Sequence, residues 1–419
     1  MKKTILLLSV WATLFLFSCG SSAIEENNTT NPPIKINLSE TEAQIQNERS
    51  AFAANLFSTI NKEEPEKENI VISPLSLNMA LAMVWNGAKG ETQEAIQNAM
   101  GMGDYPSSEV NNYFKKLRET FLKTDPLVQL SIANSIWTRK GFPVKPSFYD
   151  TNKNYYNAET RELDFSNANA PKTINQWCSD NTDDRIKKII EGEIPSAMVM
   201  YLINALYFKG EWSKDHGFVA SETKAEPFYK ENGQQIKVNM MQQKNTSGYY
   251  SDEYLASTAL PYGNGAFSMV FILPNESVAL NDVLEQLKQA DYWARCMNPS
   301  GSSEVNLYIP KFKIEYERTM NETLKRLGMG IAFTESADFS GIANNLAISA
   351  VKQKTFIDVN EKGSEAAAVT AIGIMATSIS IPRVFDFRAN RPFLFAIKEN
   401  LTGTVLFMGK IGCPEYSGK

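Results

Sequence analysis

Residues 361–378 read EKGSEAAAVTAIGIMATS. The segment opens on charge and a glycine, then carries neither charge nor proline after Glu365. Val369, Thr370, Ile372 and Ile374 favour β-structure, and the alanines at 366–368 add little bulk to either face of a strand. An exposed loop ordinarily carries turn residues and charges. A loop composed like a strand suggests that it inserts somewhere.

The flanking text carries a family resemblance. FIDVNEKGSEAAAVTA (356–371) and FRANRPFLFAIKENLTGTVLFMGKI (387–411) resemble the C-terminal region of the serpins, a large family of protease inhibitors. NIVISPLSLNMALAMVWNGAKGET (69–92), ANSIWTRKGFPVKPSF (133–148) and INQWCSDNT (174–182) are similar to earlier parts of that family. So are LINALYFKGEW (202–212), LPYGNGAFSMVFILP (260–274) and DFSGI (338–342). Each motif alone is weak; their shared order from about residue 51 to residue 414 is specific.

The resemblance implies an α+β fold: a large central, mostly antiparallel β-sheet, further sheets, about eight to nine helices and an exposed reactive loop. It places one domain at 41–415 with the loop at 361–383. It also implies a mechanism. A target protease attacks the loop and becomes an acyl-enzyme, and the freed loop enters the central sheet as a new strand. About 15 inserted residues at roughly 3.3 Å each would carry the protease about 50 Å.

By the same resemblance, Glu361 and Lys362 precede the hinge and Gly363 bends it. Ser364, Glu365, Ala366, Ala367 and Ala368 would enter the sheet first. Small residues are needed there, because a proline would lose a ladder hydrogen bond and a buried charge would be costly. Trp212, Lys311 and Glu361 match the top of the sheet, where a Lys311–Glu361 ion pair is expected. Ser73, Ser76 and Asn204 match a polar cluster that holds the middle strands together. Counting back from Glu361 puts Gln353 where relatives commonly have histidine, so that cluster would not titrate. The bait bond falls fourteen residues after Gly363, at Thr377–Ser378, with Ala376–Thr377 and Met375–Ala376 as alternative registers. None of these is Arg or Lys, which favours elastase-like, subtilisin-like and some papain-like proteases over trypsin-like ones.

The chain has 419 residues, 43% of them hydrophobic, a formal net charge of −5 and no Pro/Gly/Ser-rich linker in its interior. Scattered basic residues give no reason to expect nucleic acid as a partner. Lys2 and Lys3 precede an apolar run at 5–17 that is too short for a safe membrane span. Leu16-Phe17-Ser18-Cys19 followed by Gly20-Ser21-Ser22 resembles a bacterial lipoprotein signal, with 1–18 removed and Cys19 lipidated. Residues 19–40 then read as a lipidated end and a flexible tether, spanning roughly 25 Å. The expectation is an exported, membrane-anchored monomer of the cell envelope, facing outward.

Cys178, Cys296 and Cys413 are an odd set, far apart, with no CxxC or HExxH spacing, so neither a disulfide framework nor a metal site is expected. No cofactor is expected either. His216 is the only histidine, and no GxSxG elbow exists. A hydrolase would have to depend on His216, which reads as a surface residue. A non-inhibitory binding or folding factor on the same fold is the nearer alternative.

Along the chain, Ser73-Pro74 starts a buried helix. LINALYFKGEW suits a central strand. VNLYIPKFKIEYE alternates after Pro310, with Phe312, Ile314 and Tyr316 on one face. GNG at 263–265 reads as a hairpin turn.

Overall fold

The computed structural model describes residues 31–364 and 384–416. Its first helix, α1 (Glu40–Glu63), starts on a capping box in which Ser39 and Glu42 satisfy each other's backbone N–H. α2 (Pro74–Trp85) is capped by Ser73, whose Oγ accepts from Ser76 N at 3.1 Å. All of α2 except Ala80 is buried, as its near-continuous apolar sequence demands. The other helices are α3 (Gly90–Ala99), α4 (Ser107–Phe121), α5 (Pro146–Tyr156), α6 (Ala170–Asp180), α7 (Leu280–Gln286), α8 (Ala290–Met297) and α9 (Asn321–Leu324).

The strands fall in chain order as β1 (Asn69–Ile72), β2 (Val128–Arg139), β3 (Glu159–Leu163), β4 (Met200–Glu211), β5 (Lys224–Tyr229), β6 (Gln235–Ser247), β7 (Tyr249–Ser251) and β8 (Leu255–Pro261). There follow β9 (Phe267–Pro274), β10 (Ser303–Pro310), β11 (Phe312–Thr319), β12 (Lys352–Asn360), β13 (Gly363–Ser364), β14 (Val384–Arg388), β15 (Phe393–Glu399) and β16 (Val405–Ile411). The fold is thus α+β, as expected.

Three sheets divide these strands. β1-β16-β15-β9-β8-β7 is the most deeply buried, since β9, β15 and β16 bury every residue. Their sequences are correspondingly apolar on both faces. A second sheet has the order β14-β10-β6-β5, and the large central sheet has the order β11-β12-β13-β4-β2-β3. Pairing in the central sheet is antiparallel except between β2 and β3.

The stretch VNLYIPKFKIEYE forms two strands in different sheets. VNLYIP belongs to β10 in the second sheet, and FKIEYE belongs to β11 in the central sheet. Pro310 has no N–H, Lys311 N makes a last bond to Asn239 O of β6 at 2.8 Å, and from Phe312 the chain pairs with β12 instead. Phe312, Ile314 and Tyr316 are buried as their spacing predicts. The GNG turn joins β8 to β9, with Gly263 at φ 43° and Gly265 at φ 87°. Cys178, Cys296 and Cys413 are free and buried. Burial pushes the Cys178 and Cys296 thiols up to about 12, which leaves them unreactive.

Candidate functional site

Residues 361–362 form a turn, and 363–364 belong to the central sheet. Gly363 and Ser364 form β13, pairing with Asn360 and Val359 of β12 on one side and with Glu211 and Gly210 of β4 on the other. Gly363 holds φ at 143°, and a Cβ on it would meet Gly210 O at 2.1 Å. Only glycine tolerates both conditions. Ser364 is fully buried, and its Oγ lies 2.8 Å from Tyr262 Oη.

Around this two-residue wedge the sheet is heavily tied. Lys311 Nζ sits 2.8 Å from Glu361 Oε2, and Thr223 Oγ1 donates to Glu361 Oε1 at 2.8 Å. Burial by itself raises the Glu361 carboxyl, but hydrogen bonds from Lys311, its own backbone N–H and Thr223 bring it below its ordinary 4.5. Lys311 also lies over the Tyr416 ring, 4.3 Å from its centroid. Trp212 donates from Nε1 to Asn360 O at 3.1 Å and from its backbone N to Lys362 O at 2.9 Å. Its indole stacks on Tyr262 at 4.6 Å. The structure therefore brings Trp212, Lys311, Glu361, Gly363 and Ser364 into one cluster. Tyr262, Thr223 and Tyr416 complete it, and sequence reasoning missed all three. Tyr262 stands beside the GNG turn, yet nothing in the order of residues says what its hydroxyl touches.

Below the wedge no ladder joins β12 to β4 among the described residues. Among the described residues, β4 pairs with β13 and β2 but not with β12, so Met200 to Lys209 have no partner on the β12 side. At the lower end lies a cavity of about 310 Å³, lined by Ser76 and Leu77 of α2, Leu202 and Asn204 of β4, and Lys352 and Gln353 of β12.

The polar residues named above divide between the two sides of this opening. Gln353 of β12 clamps the backbone of Ser73: Ser73 N donates to its Oε1 at 3.0 Å, and its Nε2 donates to Ser73 O at 2.8 Å. Ser73 Oγ donates to Leu406 O at 2.6 Å, and Thr355 Oγ1 donates to Val71 O at 2.6 Å. Asn204 of β4 instead donates to Asn134 Oδ1 of β2 at 2.7 Å. Gln353 and Ser73 thus tie β12 to the start of α2, Ser76 N meets only Ser73 Oγ, and Asn204 bonds Asn134 on the other strand. Gln353→Leu leaves the buried N–H of Ser73 without its partner, while the Ser73 C=O keeps Leu77 N at 3.1 Å, so the native state is expected to lose about 1–3 kcal/mol in denaturant titrations.

His216 is half-buried rather than a surface residue. Its Nδ1 lies 2.7 Å from Ser213 Oγ, and burial pulls its ring below the ordinary 6.5 against the opposing pull of the Thr246 carbonyl and Asp215. The turn after Trp212 folds back under β6, where Gln243 Nε2 donates to His216 O at 2.9 Å, and that packing covers the ring. The expectations for Cys19, Glu365, Ala366, Ala367, Ala368, Met375, Ala376, Thr377 and Ser378 lie outside the described residues. The chain leaves the description at Ser364 in the central sheet and re-enters at Val384, where β14 pairs in parallel with β10.

Among the described residues, the central sheet carries the two-residue strand Gly363–Ser364 between β12 and β4, which do not pair with each other. The sequence profile of the family described as Serpin (serine protease inhibitor) matches residues 47–414. The chain belongs to the serpin family. It is 34% identical over 385 residues to the human leukocyte elastase inhibitor, covering 88% of this chain and 100% of the relative. It is 31% identical over 432 residues to an uncharacterized serpin-like protein of Methanosarcina mazei, covering 99% and 98%. The crystal structure of a thermophilic serpin, tengpin, in the native state superposes with a TM-score of 0.80 at 33% identity, covering 92% of this chain and 97% of that one. Thyroxine-binding globulin complexed with thyroxine superposes at 0.77 with 27% identity, covering 89% and 99%.

Proposed function

We propose that this chain inhibits serine proteases, and papain-like cysteine proteases as a further class, as a suicide substrate whose cut loop inserts into the central sheet. The observation that carries the reading is the two-residue strand Gly363–Ser364, set between β12 and β4 above an edge of β4 that has no partner on that side among the described residues. An unpaired edge is a template for a further strand. Each ladder bond formed on insertion contributes about 0.5–1.5 kcal/mol net. The small, uncharged residues at 366–374 fit such a path. The protease supplies the nucleophile, and this chain supplies bait and stored free energy.

In this reading Thr377–Ser378 is the bait bond, with Ala376–Thr377 and Met375–Ala376 as neighbouring registers. Targets carry small or medium apolar pockets, as elastase-like and subtilisin-like enzymes do. Cys19 carries a lipid that holds an otherwise monomeric domain at an outward-facing membrane of the cell envelope.

Incubation with neutrophil-type elastase, subtilisin, papain and trypsin tests this. The expected products are a complex that survives denaturing electrophoresis and a released peptide beginning at Ala376, Thr377 or Ser378. Cleavage by all four with no complex would mean a non-inhibitory member of the family. Ala366→Arg and Ala368→Pro are expected to be cut as fast as wild type with complex yield reduced at least about tenfold. A buried unpaired charge, or a missing ladder bond at the leading end, stalls insertion. Unchanged complex yield in both variants would exclude insertion.

A further inference from the structure

A buried cation lies between the first two helices. Arg49 of α1 is 6% exposed, and Asn78 of α2 is 1% exposed. Among the described residues Arg49 forms no ion pair, and its Nε and Nη1 have no hydrogen-bond partner. Asn78 likewise has none at Oδ1 or Nδ2. Aromatic rings cover the guanidinium: its Cζ lies 4.7 Å from the centroid of Phe114 and 5.3 Å from that of Tyr113. The N–H groups in the guanidinium plane are what remains to be satisfied.

The acceptors nearby are committed elsewhere. Gln46 Oε1 receives Tyr113 Oη and, at 3.0 Å, Thr404 Oγ1. Glu399, whose charge acts on Tyr113, accepts from Leu401 N at 2.9 Å, Thr402 N at 2.8 Å and Thr402 Oγ1 at 2.5 Å. Those bonds hold its carboxylate in the β15–β16 turn. Arg49 and Asn78 instead line a cavity of about 10 Å³, together with Gln46, Pro74 and Thr404. A cavity of that volume has room for one group of about the size of a water molecule.

We propose that this cavity binds a single monatomic anion, a halide such as chloride, held by the Arg49 guanidinium and Asn78 Nδ2. Arginine keeps its charge in a protein, and a buried charge is ordinarily paired. A water molecule would serve Asn78 Oδ1 as well, but it would leave that charge uncompensated. Sulfate, phosphate and carboxylates are too large for the space. The site joins α1, α2 and the β15–β16 turn, three elements that meet only in the folded chain. Halide binding therefore stabilises the native state over the unfolded one. The site does not depend on the insertion reading given above.

The test uses the full chain with Arg49→Met and Asn78→Asp. Crystals are grown in sodium bromide, and thermal midpoints are measured in sodium chloride, bromide and acetate at equal ionic strength and fixed scan rate. Equal ionic strength removes general screening from the comparison. The expected results are an anomalous bromide peak in the cavity and a wild-type midpoint that rises by roughly 2–5 °C along a saturating curve in chloride and bromide, relative to acetate. Arg49→Met is expected to lose both the peak and the rise. Asn78→Asp brings a carboxylate to Arg49, so it is expected to stay folded and to lose the halide dependence. No peak, or a water in its place, overturns the proposal. A peak without a saturating rise means an adventitious ion only and overturns it too. So does halide dependence that persists in either variant. The bromide crystal needs no variant, so the proposal can be refuted even where Arg49→Met fails to fold.

Discussion

Gly363→Val is expected to abolish protease trapping and to destabilise the native state by about 3 kcal/mol or more. Two independent costs combine. A β-branched residue at φ 143° is strained by about 1–3 kcal/mol. Its Cβ would also stand 2.1 Å from Gly210 O and 2.8 Å from Glu211 Cα, both backbone atoms that cannot rotate away. The wedge would have to leave the sheet, taking Ser364 from Tyr262 and loosening the Glu361 contacts beside it. Denaturant unfolding and complex yield measure the two effects. A Gly363→Val protein that unfolds at the wild-type midpoint would show that the wedge is not held as described.

The second large effect is at the ion pair. Lys311→Met leaves Glu361, whose side chain is only 12% exposed, with Thr223 but without a cation. The expected cost is about 2–3 kcal/mol, at or below the 3–5 kcal/mol of fully buried pairs, because both partners keep some contact with water. Its pH dependence has a definite sign. The Glu361 carboxyl is held below its ordinary 4.5, so the contribution is present above that value. It is lost as pH falls through the lower value of the folded state. Stability curves of wild type and Lys311→Met should therefore lie apart at pH 7 and converge below about pH 4.5. Curves that stay parallel down to pH 3 would mean that Lys311 stabilises through its contact with the Tyr416 ring rather than through charge.

The family and its α+β class were legible because they rest on local text. Ser73-Pro74 caps a helix wherever it is placed, the apolar runs of β9, β15 and β16 have no solvent-facing residue to spare, and GNG turns a hairpin by its own φ preferences. The Lys311–Glu361 pair was legible only through resemblance, since the partners are fifty residues apart and no local rule joins them. Period-2 patterning after Pro310 picked out the buried face of β11 but not the change of sheet between β10 and β11. Alternation reports which residues are buried and says nothing of which sheet buries them. His216 was misjudged for a related reason. Polar neighbours suggested solvent, but a turn packed under β6 covers the ring.

By itself the sequence determined a serpin chain, a glycine at 363 and the small residues that follow it. Propensity, bulk and charge are properties of a residue before it folds. Tertiary structure alone decided that Gly363 and Ser364 lie between β12 and β4, that Gln353 clamps Ser73 while Asn204 faces Asn134, and that the N-terminal segment reaches the turn carrying Tyr262. These are contacts between residues tens to hundreds of positions apart, fixed by how strands and helices pack. No window of sequence contains both ends of such a contact.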